Sequence, residues 1–330
     1  MGLRISATVE RWPVAGQFII ARGAKTYVDV VVVAASDGTH VGMGEGTAIY
    51  YRGETAEKCL RQVEEVINDL EALDARSARL RAQMVLGPGA ARNALDCALW
   101  NLEANAAGMP LWQLLGMDKP KPLLTAFTIS LGDCATMEAD AAEAASRGYS
   151  LLKLKLTGEG DRDRVATVRA GAPAARLIVD ANESWGKLDI TVEAAALQAI
   201  GVEMIEQPVP EGQDRVLCPG RALMPILADE SCHSAADVER LTPFYDGVNI
   251  KLDKAGGLTE ALKIADAAEA AGMRIMVGCM LSTSLGVAPA FIVAQKADWV
   301  DLDGPALLAQ DRPDGFRFEG GKIIPAGAQL

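Results

Sequence analysis

Two lysines sit at period two inside an apolar run, Leu151-Leu152-Lys153-Leu154-Lys155-Leu156. On a strand, residues i and i+2 share a face, so Lys153 and Lys155 point the same way. Burying two ammonium groups is costly unless anions face them. Candidate anions follow in phase. Asp180 ends the run Leu177-Ile178-Val179, Glu206 ends Met204-Ile205, and Asp229 ends Ile226-Leu227-Ala228. Any one of these acids could be the N-cap of a following helix. Three in phase would repel one another without a cation between them. Oxygen-only ligands favour a hard divalent ion, with Mg²⁺ as the default. Lys155 and Lys251 flank the acids. A lysine beside a like charge or a metal has a lowered pKa and can act as a base, and Lys153 is placed to do this to Lys155. Two lysines on either side of a metal-bound carboxylate suit a two-base transfer. One removes a proton from one face, the other returns it to the opposite face, and the metal stabilises the enediolate between.

Those residues need strand ends to carry them. From residue 119 onward the pattern alternates strand and helix. Candidate strands are Leu124–Ile129, Leu151–Leu156, Leu177–Val179, Met204–Ile205, Ile226–Ala228, Gly247–Ile250, Arg274–Val277 and Trp299–Leu302. Ala-rich amphipathic segments such as Met137–Ser146, Thr191–Ala199, Ala235–Arg240 and Thr259–Ala271 lie between them. Parallel strands with intervening helices predict an α/β fold, a modified TIM barrel of (β/α)7β type, whose site lies at the C-terminal strand ends. Before the barrel, Leu3–Glu10, Phe18–Ile20, Tyr27–Ala34 and Val41–Gly44 read as an antiparallel meander with an Asp37-Gly38 hairpin. Helices are expected over Thr55–Leu73, Ala90–Ala106 and Leu111–Leu115. The expected division is an α+β capping domain over 1–118, a barrel over 119–304, and a C-terminal segment over 305–330 whose hairpin returns to the cap.

Composition excludes several classes. A net charge of −12 disfavours nucleic acid and anionic membrane as partners. The six cysteines are scattered without a C-x-x-C and read as reduced thiols of a cytoplasmic protein. No signal pattern or bilayer-length apolar run is present. Two histidines, His40 and His233, argue against a His-based site; His40 reads as a surface residue at the hairpin and His233 as a loop or helix-start residue. Gly42-x-Gly44-x-Gly46 has the wrong spacing for a dinucleotide loop. Arg92 and Asp96 read as a structural i, i+4 pair. Ser282-Thr283-Ser284 reads as either a substrate contact or a helix cap.

With Lys153-x-Lys155, Asp180-Ala-Asn182, Glu206-Gln-Pro208, Asp229-Glu230-Ser231 and Lys251-x-Asp253-Lys-Ala-Gly-Gly257 in order, the chain resembles the enolase superfamily in its muconate-lactonising subgroup. The resemblance spans essentially the whole chain. Trp299-Val300-Asp301-Leu302-Asp303-Gly304 resembles the Asp-x-Asp of the dipeptide epimerases, whose aspartates bind the α-ammonium of a dipeptide. Ile20-Ala21-Arg22-Gly23 resembles their cap loop, whose arginine meets an acidic side chain. Leu123 to Ser130, with Thr128 as a substrate contact, resembles their first barrel strand. The resemblance implies Mg²⁺-dependent epimerisation of the C-terminal residue of L-Ala-L-Glu or L-Ala-D-Glu. Catalytic Lys155, Lys251 and Lys153, metal ligands Asp180, Glu206 and Asp229, and substrate contacts Arg22, Thr128, Asp301 and Asp303 follow from it. A small dipeptide is the expected partner, and a homo-oligomer stays open. Rival readings are N-acyl amino acid racemisation, o-succinylbenzoate synthesis and, from another class, a Schiff-base aldolase using Lys155 or Lys251, which borohydride trapping separates.

Overall fold

The structure is a computed structural model that describes residues 2–20, 23–217 and 224–325. Three antiparallel strands open it, β1 (Arg4–Ile20), β2 (Gly23–Ser36) and β3 (Val41–Thr47), in the order β1-β2-β3. The two weakly alternating runs of the sequence form one long β1, interrupted by a register shift between Pro13 and Phe18. Helices α1 (Ala56–Glu71) and α3 (Ala90–Ala106) pack on this sheet, and α2 (Ala75–Val85) and α4 (Leu111–Leu114) pack on α3. Helix α2 has no counterpart in the sequence reading. Its buried face is small, with Ala78 and Ala82 at helical spacing, so its apolar signal is weak.

The glycine triplet of β3 is a packing device. A Cβ at Gly42, Gly44 or Gly46 would lie 2.2 Å from the carbonyl oxygen of Ala98, Ala94 or Ala90, respectively. Three glycines at period two therefore bring the strand against three alanines at period four, and sheet and helix meet backbone to backbone.

The barrel contains β5 (Phe127–Ile129), preceded by the short β4 (Leu123–Leu124), then α5 (Cys134–Ser146), β6 (Leu151–Lys155), α6 (Asp161–Gly171), β7 (Arg176–Asp180), α7 (Ile190–Ala199), β8 (Val202–Glu206), β9 (Ile226–Ala228), α8 (Ala235–Leu241), β10 (Gly247–Lys251), α9 (Leu252–Ala255), α10 (Leu258–Ala270), β11 (Arg274–Gly278), α11 (Ser284–Val293) and β12 (Trp299–Asp301). All eight main strands are parallel, in the order β12-β11-β10-β9-β8-β7-β6-β5. Ala126 N donates to Val300 O at 2.7 Å and Leu302 N to Thr125 Oγ1 at 2.9 Å, which draws the two edges together. The expected helix between β8 and β9 is absent among the described residues. Only a 3₁₀ turn at Asp214–Val216 stands there, in a connection broken by Pro208, Pro210 and Gly212.

Period two sorts the strand residues. Leu152 and Leu154 face the helical layer, while Leu151, Ile178, Met204, Leu227, Met276 and Trp299 fill the barrel's interior. Continuing along the inward face, the next positions toward the C-terminal ends are Lys153, Lys155, Asp180, Glu206, Asp229 and Asp301. The tail hairpin, β13 (Arg317–Glu319) and β14 (Lys322–Ile324), pairs with β4 and not with the cap. It is the segment before it that reaches the cap, through a bridge of Leu308 to Val14 and through Arg312 to Glu10 and Glu45. Among the described residues no helix is long and apolar enough to cross a membrane.

Gly44→Ala should cost about 1–3 kcal/mol of stability, the usual range for overpacking a closed contact. Denaturant unfolding reads this directly, and an unchanged midpoint would show that β3 and α3 can move apart freely.

Candidate active site

Lys155, Asp180 and Glu206 are direct register partners across β6, β7 and β8, so their side chains leave the barrel at one level. Asp229 follows the end of β9 and joins them. One carboxylate oxygen from each of Asp180, Glu206 and Asp229 lies within 4.8 Å of the others, and all three acids are buried. Glu206 Oε2 and Asp229 Oδ1 are buried, and a lysine ammonium lies 2.7 Å from each, Lys153 and Lys254 respectively. Convergent carboxylate oxygens from three strands fit a hard cation, and these are the residues that could hold one.

The lysines interleave with the acids. Lys155 Nζ donates to Asp180 Oδ2 at 2.6 Å and Lys251 Nζ to Asp229 Oδ2 at 2.7 Å. Lys153 Nζ lies 2.7 Å from Glu206 Oε2, 2.7 Å from Asp301 Oδ2 and 3.5 Å from Asp180 Oδ2. Strands β6 and β10, which carry Lys155 and Lys251, bracket the three acid-bearing strands. Burial alone would pull the Lys153 and Lys251 ammonium groups down. The carboxylates reverse this and hold both well above the ordinary lysine value. Lys153 thus places its ammonium among three carboxylates. Burial likewise raises Asp180, but Lys155 and Lys153 more than reverse it and bring it to about 2. Burial and then Asp180 push Glu206 up to about 8 despite Lys153.

Asp301 and Asp303 stand at the end of β12. Asp301 is not remote from the acid triad, because Lys153 bridges the two. Its Oδ1 is buried without a hydrogen-bond partner. Asp303 Oδ2 accepts the Thr128 N–H at 2.7 Å. Burial and then Asp301 push Asp303 up to about 7. Thr128, Lys153, Asp301 and Asp303 line one small cavity, which is continuous with the main pocket through Lys155 and Lys251. In the main pocket the cap contributes Phe18, Lys25 and Tyr50 opposite those lysines. Arg22 lies outside the described residues.

Other groups surround the site. Asn249 Nδ2 donates to Glu206 Oε1 at 2.7 Å. Gln207, at φ 34°, accepts the Asp229 and Ser231 N–H groups and ties β8 to the loop after β9. Lys254 lies 2.7 Å from Asp229 Oδ1. All three stand inside or beside the motifs already singled out, but only contacts between strands reveal them. Arg92 and Asp96 do not pair with each other. Arg92 donates to Gly256 O and Ala255 O, and Asp96 accepts from Thr259, so α3 grips the turn after β10. A Cβ at Gly256 would lie 2.4 Å from the Arg92 guanidinium. Thr283 is the N-cap of α11 and also donates to Glu45 of β3. His233 sits between Arg52 and Glu230 O, a cap-to-barrel contact.

The family described as mandelate racemase / muconate lactonizing enzyme, N-terminal domain, matches residues 4–116, and that described as enolase C-terminal domain-like matches 136–328. The chain belongs to the enolase superfamily. Within it, the chain is 40% identical to an L-Ala-D/L-Glu epimerase of Escherichia coli K12, over 95% of this chain and 97% of that one. It is 36% identical to an N-acetyl-D-glutamate racemase of Pseudoalteromonas, over 90% and 93% of the two chains. An enolase family member from Agrobacterium tumefaciens with homology to dipeptide epimerases, solved with sodium and L-Ala-L-Glu bound, superposes at a TM-score of 0.92. It is 46% identical and covers 99% of both chains.

Asp253 links the superfamily's Lys251 strand to the cap, accepting Thr47 N–H and Asn93 Nδ2 at 2.8 Å each. Burial, only partly opposed by these bonds, pushes it up to about 7 from the ordinary 3.8. The folded chain thus keeps a proton that the unfolded chain releases. Its stabilising effect is full below about pH 4 and is lost as pH rises through about 7. Asp253→Asn keeps the acceptor oxygen and removes the ionisation. Its stability relative to the parent should therefore improve between about pH 5 and about pH 8; denaturant midpoints at both values test this, and a constant difference would contradict it.

Proposed function

We propose that the chain epimerises the C-terminal residue of a dipeptide, L-Ala-L-Glu to L-Ala-D-Glu and back, by proton transfer between Lys155 and Lys251. The cap (1–118), barrel (119–304) and tail (305–330) act together in this reading. The observation that carries it is the attachment of the two pocket-side lysines to different acids of one triad, on strands that bracket it. One lysine takes the α-proton from one face and the other delivers a proton to the opposite face. Asp180, Glu206 and Asp229 would hold Mg²⁺. Bound there, the ion supplies positive charge against the negative charge that develops on the substrate carboxylate. Lys153 stays with Glu206 and Asp301 and keeps their charges compensated in a dry site. Asp301 and Asp303 would receive the dipeptide's α-ammonium, in keeping with the unpartnered Asp301 Oδ1. Thr128 orients Asp303 through its N–H. Arg22 would meet the acidic side chain through a charge-assisted contact. The relative solved with L-Ala-L-Glu supports this choice of substrate.

A second reading is N-acyl amino acid racemisation. Two observations favour it: the resemblance to an N-acetyl-D-glutamate racemase, and the Lys153 that already occupies one oxygen of Asp301. Turnover of L-Ala-L-Glu against N-acetyl-L-glutamate separates the two readings; a higher kcat/KM on the acetylated compound would put the racemase first. Asp303→Asn is a cleaner probe than Asp301→Asn, because Asp301 also serves Lys153. Losing one partner of a desolvated charge pair costs about 2–5 kcal/mol, so kcat/KM for L-Ala-L-Glu should fall about thirtyfold or more. N-acetylated substrate should be little affected, and an equal loss on both would remove Asp303 from the ammonium site. Exhaustive chelation should abolish turnover and Mg²⁺ should restore it; full activity without divalent ions would exclude the metal role.

A further inference from the structure

Behind Glu206 and Asp229 lies a buried set of side chains that lines neither cavity. Gln207 is its centre. It follows Glu206 in the chain and holds a left-handed backbone at φ 34°, which a residue with a side chain keeps only where its surroundings enforce it. The two ends of its amide do different things. Oε1 accepts the N–H groups of Asp229 at 2.8 Å and Ser231 at 3.2 Å. Nε2 faces Val209 O at 2.8 Å, Ser231 Oγ at 2.9 Å and the Tyr245 hydroxyl at 3.0 Å. One residue thus joins two acids of the triad, Glu206 through the chain and Asp229 through a hydrogen bond.

The orientation of that amide is supported from further out. Asp214, in the 3₁₀ turn between β8 and β9, accepts the hydroxyl hydrogens of Ser231 at 2.6 Å and Tyr245 at 2.7 Å, both on Oδ1. A hydroxyl has one hydrogen. With that hydrogen on Asp214, each oxygen offers Gln207 only lone pairs, and an N–H is what meets them. Val209 O, an acceptor only, asks for the same orientation. The carbonyl end of Gln207 is therefore left facing Asp229. The reversed amide would set N–H against N–H and oxygen against oxygen in a buried place, where unmet polar groups are costly. Arg240 of α8 closes the network, with Nη1 at 3.3 Å from Asp214 Oδ2 and Nη2 donating to Ser231 O at 2.8 Å.

We propose that Asp214 is a positioning residue for the metal ligands: through Ser231 and Tyr245 it keeps the Gln207 amide in its orientation, and Gln207 holds the Asp229 main chain beside Glu206. Asp214 itself touches neither ion nor substrate. The proposal gives a task to the β8–β9 connection, where the described residues form a 3₁₀ turn and no helix. It rests on the reading that Asp180, Glu206 and Asp229 hold Mg²⁺.

Calorimetric titration of Mg²⁺ into the substrate-free protein tests it. Asp214→Ala frees both hydroxyl hydrogens to turn toward Gln207 and should raise the Kd for Mg²⁺ about tenfold or more, as loss of an outer partner of a metal ligand does. Tyr245→Phe removes one of the two hydroxyls and should raise it less, about 2–10-fold, the worth of one hydrogen bond. Asp96→Ala is the control. Asp96 is also a buried acid, with bonds to Thr259 and Gln83 and none to the triad, so its loss should lower the unfolding midpoint and leave the Kd at the parent's value. An unchanged Kd in folded Asp214→Ala, or an equal rise in Asp96→Ala, would overturn the proposal. If Asp214→Ala does not fold by circular dichroism, Tyr245→Phe decides, and a Kd equal to the parent's overturns it. Asp180→Asn, which changes a ligand directly, should weaken Mg²⁺ more than any of these. A parent that takes up no Mg²⁺, or one that Asp180→Asn leaves undisturbed, would defeat the metal reading itself; a loss in Asp180→Asn with none in Asp214→Ala or Tyr245→Phe would defeat the positioning role alone.

Discussion

Four acids and four lysines share the buried mouth of the barrel, and each set compensates charge of the other. Asp180, Glu206, Asp229 and Asp301 alternate in space with Lys153, Lys155, Lys251 and Lys254, and the contacts between them run from 2.6 to 3.9 Å. Removing one member of such a set leaves an uncompensated charge in a dry interior, at a cost of about 3–5 kcal/mol. The set therefore constrains the strands that carry it. Each must reach the same level with its charged residue inward, which the direct register of Lys155, Asp180 and Glu206 achieves. The apolar layer of Leu151, Ile178, Met204, Leu227, Met276 and Trp299 beneath makes that level dry.

The cap completes the constraint from above. Its α3 grips the turn after β10 through Arg92, and its β3 holds the loop after β11 through Glu45 and Thr283. Thr47 adds a bond to Leu281 O, in the pocket wall. These contacts require α3 and β3 to lie very close together, which the glycines of β3 allow. Loops at a barrel mouth are otherwise free to vary and move. Here the ones beside Lys251 and Leu281 are fixed by bonds to a separate layer of structure, so the position of the pocket-side lysines depends on the cap as well as on their strands.

The inward and outward faces of the barrel strands were legible in the sequence because period two is a local property, and Lys153 and Lys155 inside a leucine run declare it. The acids at strand ends were legible for the same reason. Contacts that depend on how the barrel closes were not. Lys153 meets Asp301 across 148 residues, and nothing near either one signals the other. Lys254 follows a strand in a polar-looking segment, and only the turn of α9 shows that it points back into the core. Helix α2 escaped because alanines supply its buried face, and the described start of the β8–β9 crossover carries Pro208, Pro210 and Gly212, which oppose a helix there. The tail hairpin had strand character in the sequence, but its partner, β4, is two residues long and offers no signal of its own.

The central claim is that Lys155 and Lys251 address one substrate carbon from opposite sides of a single acid-bound metal. A crystal structure of the complex with Mg²⁺ and L-Ala-L-Glu measures this most directly. The two Nζ atoms should lie about 3–3.5 Å from the glutamate α-carbon on opposite faces, with the ion on Asp180, Glu206 and Asp229. Both lysines on one face, or an ion bound away from those three carboxylates, would contradict it.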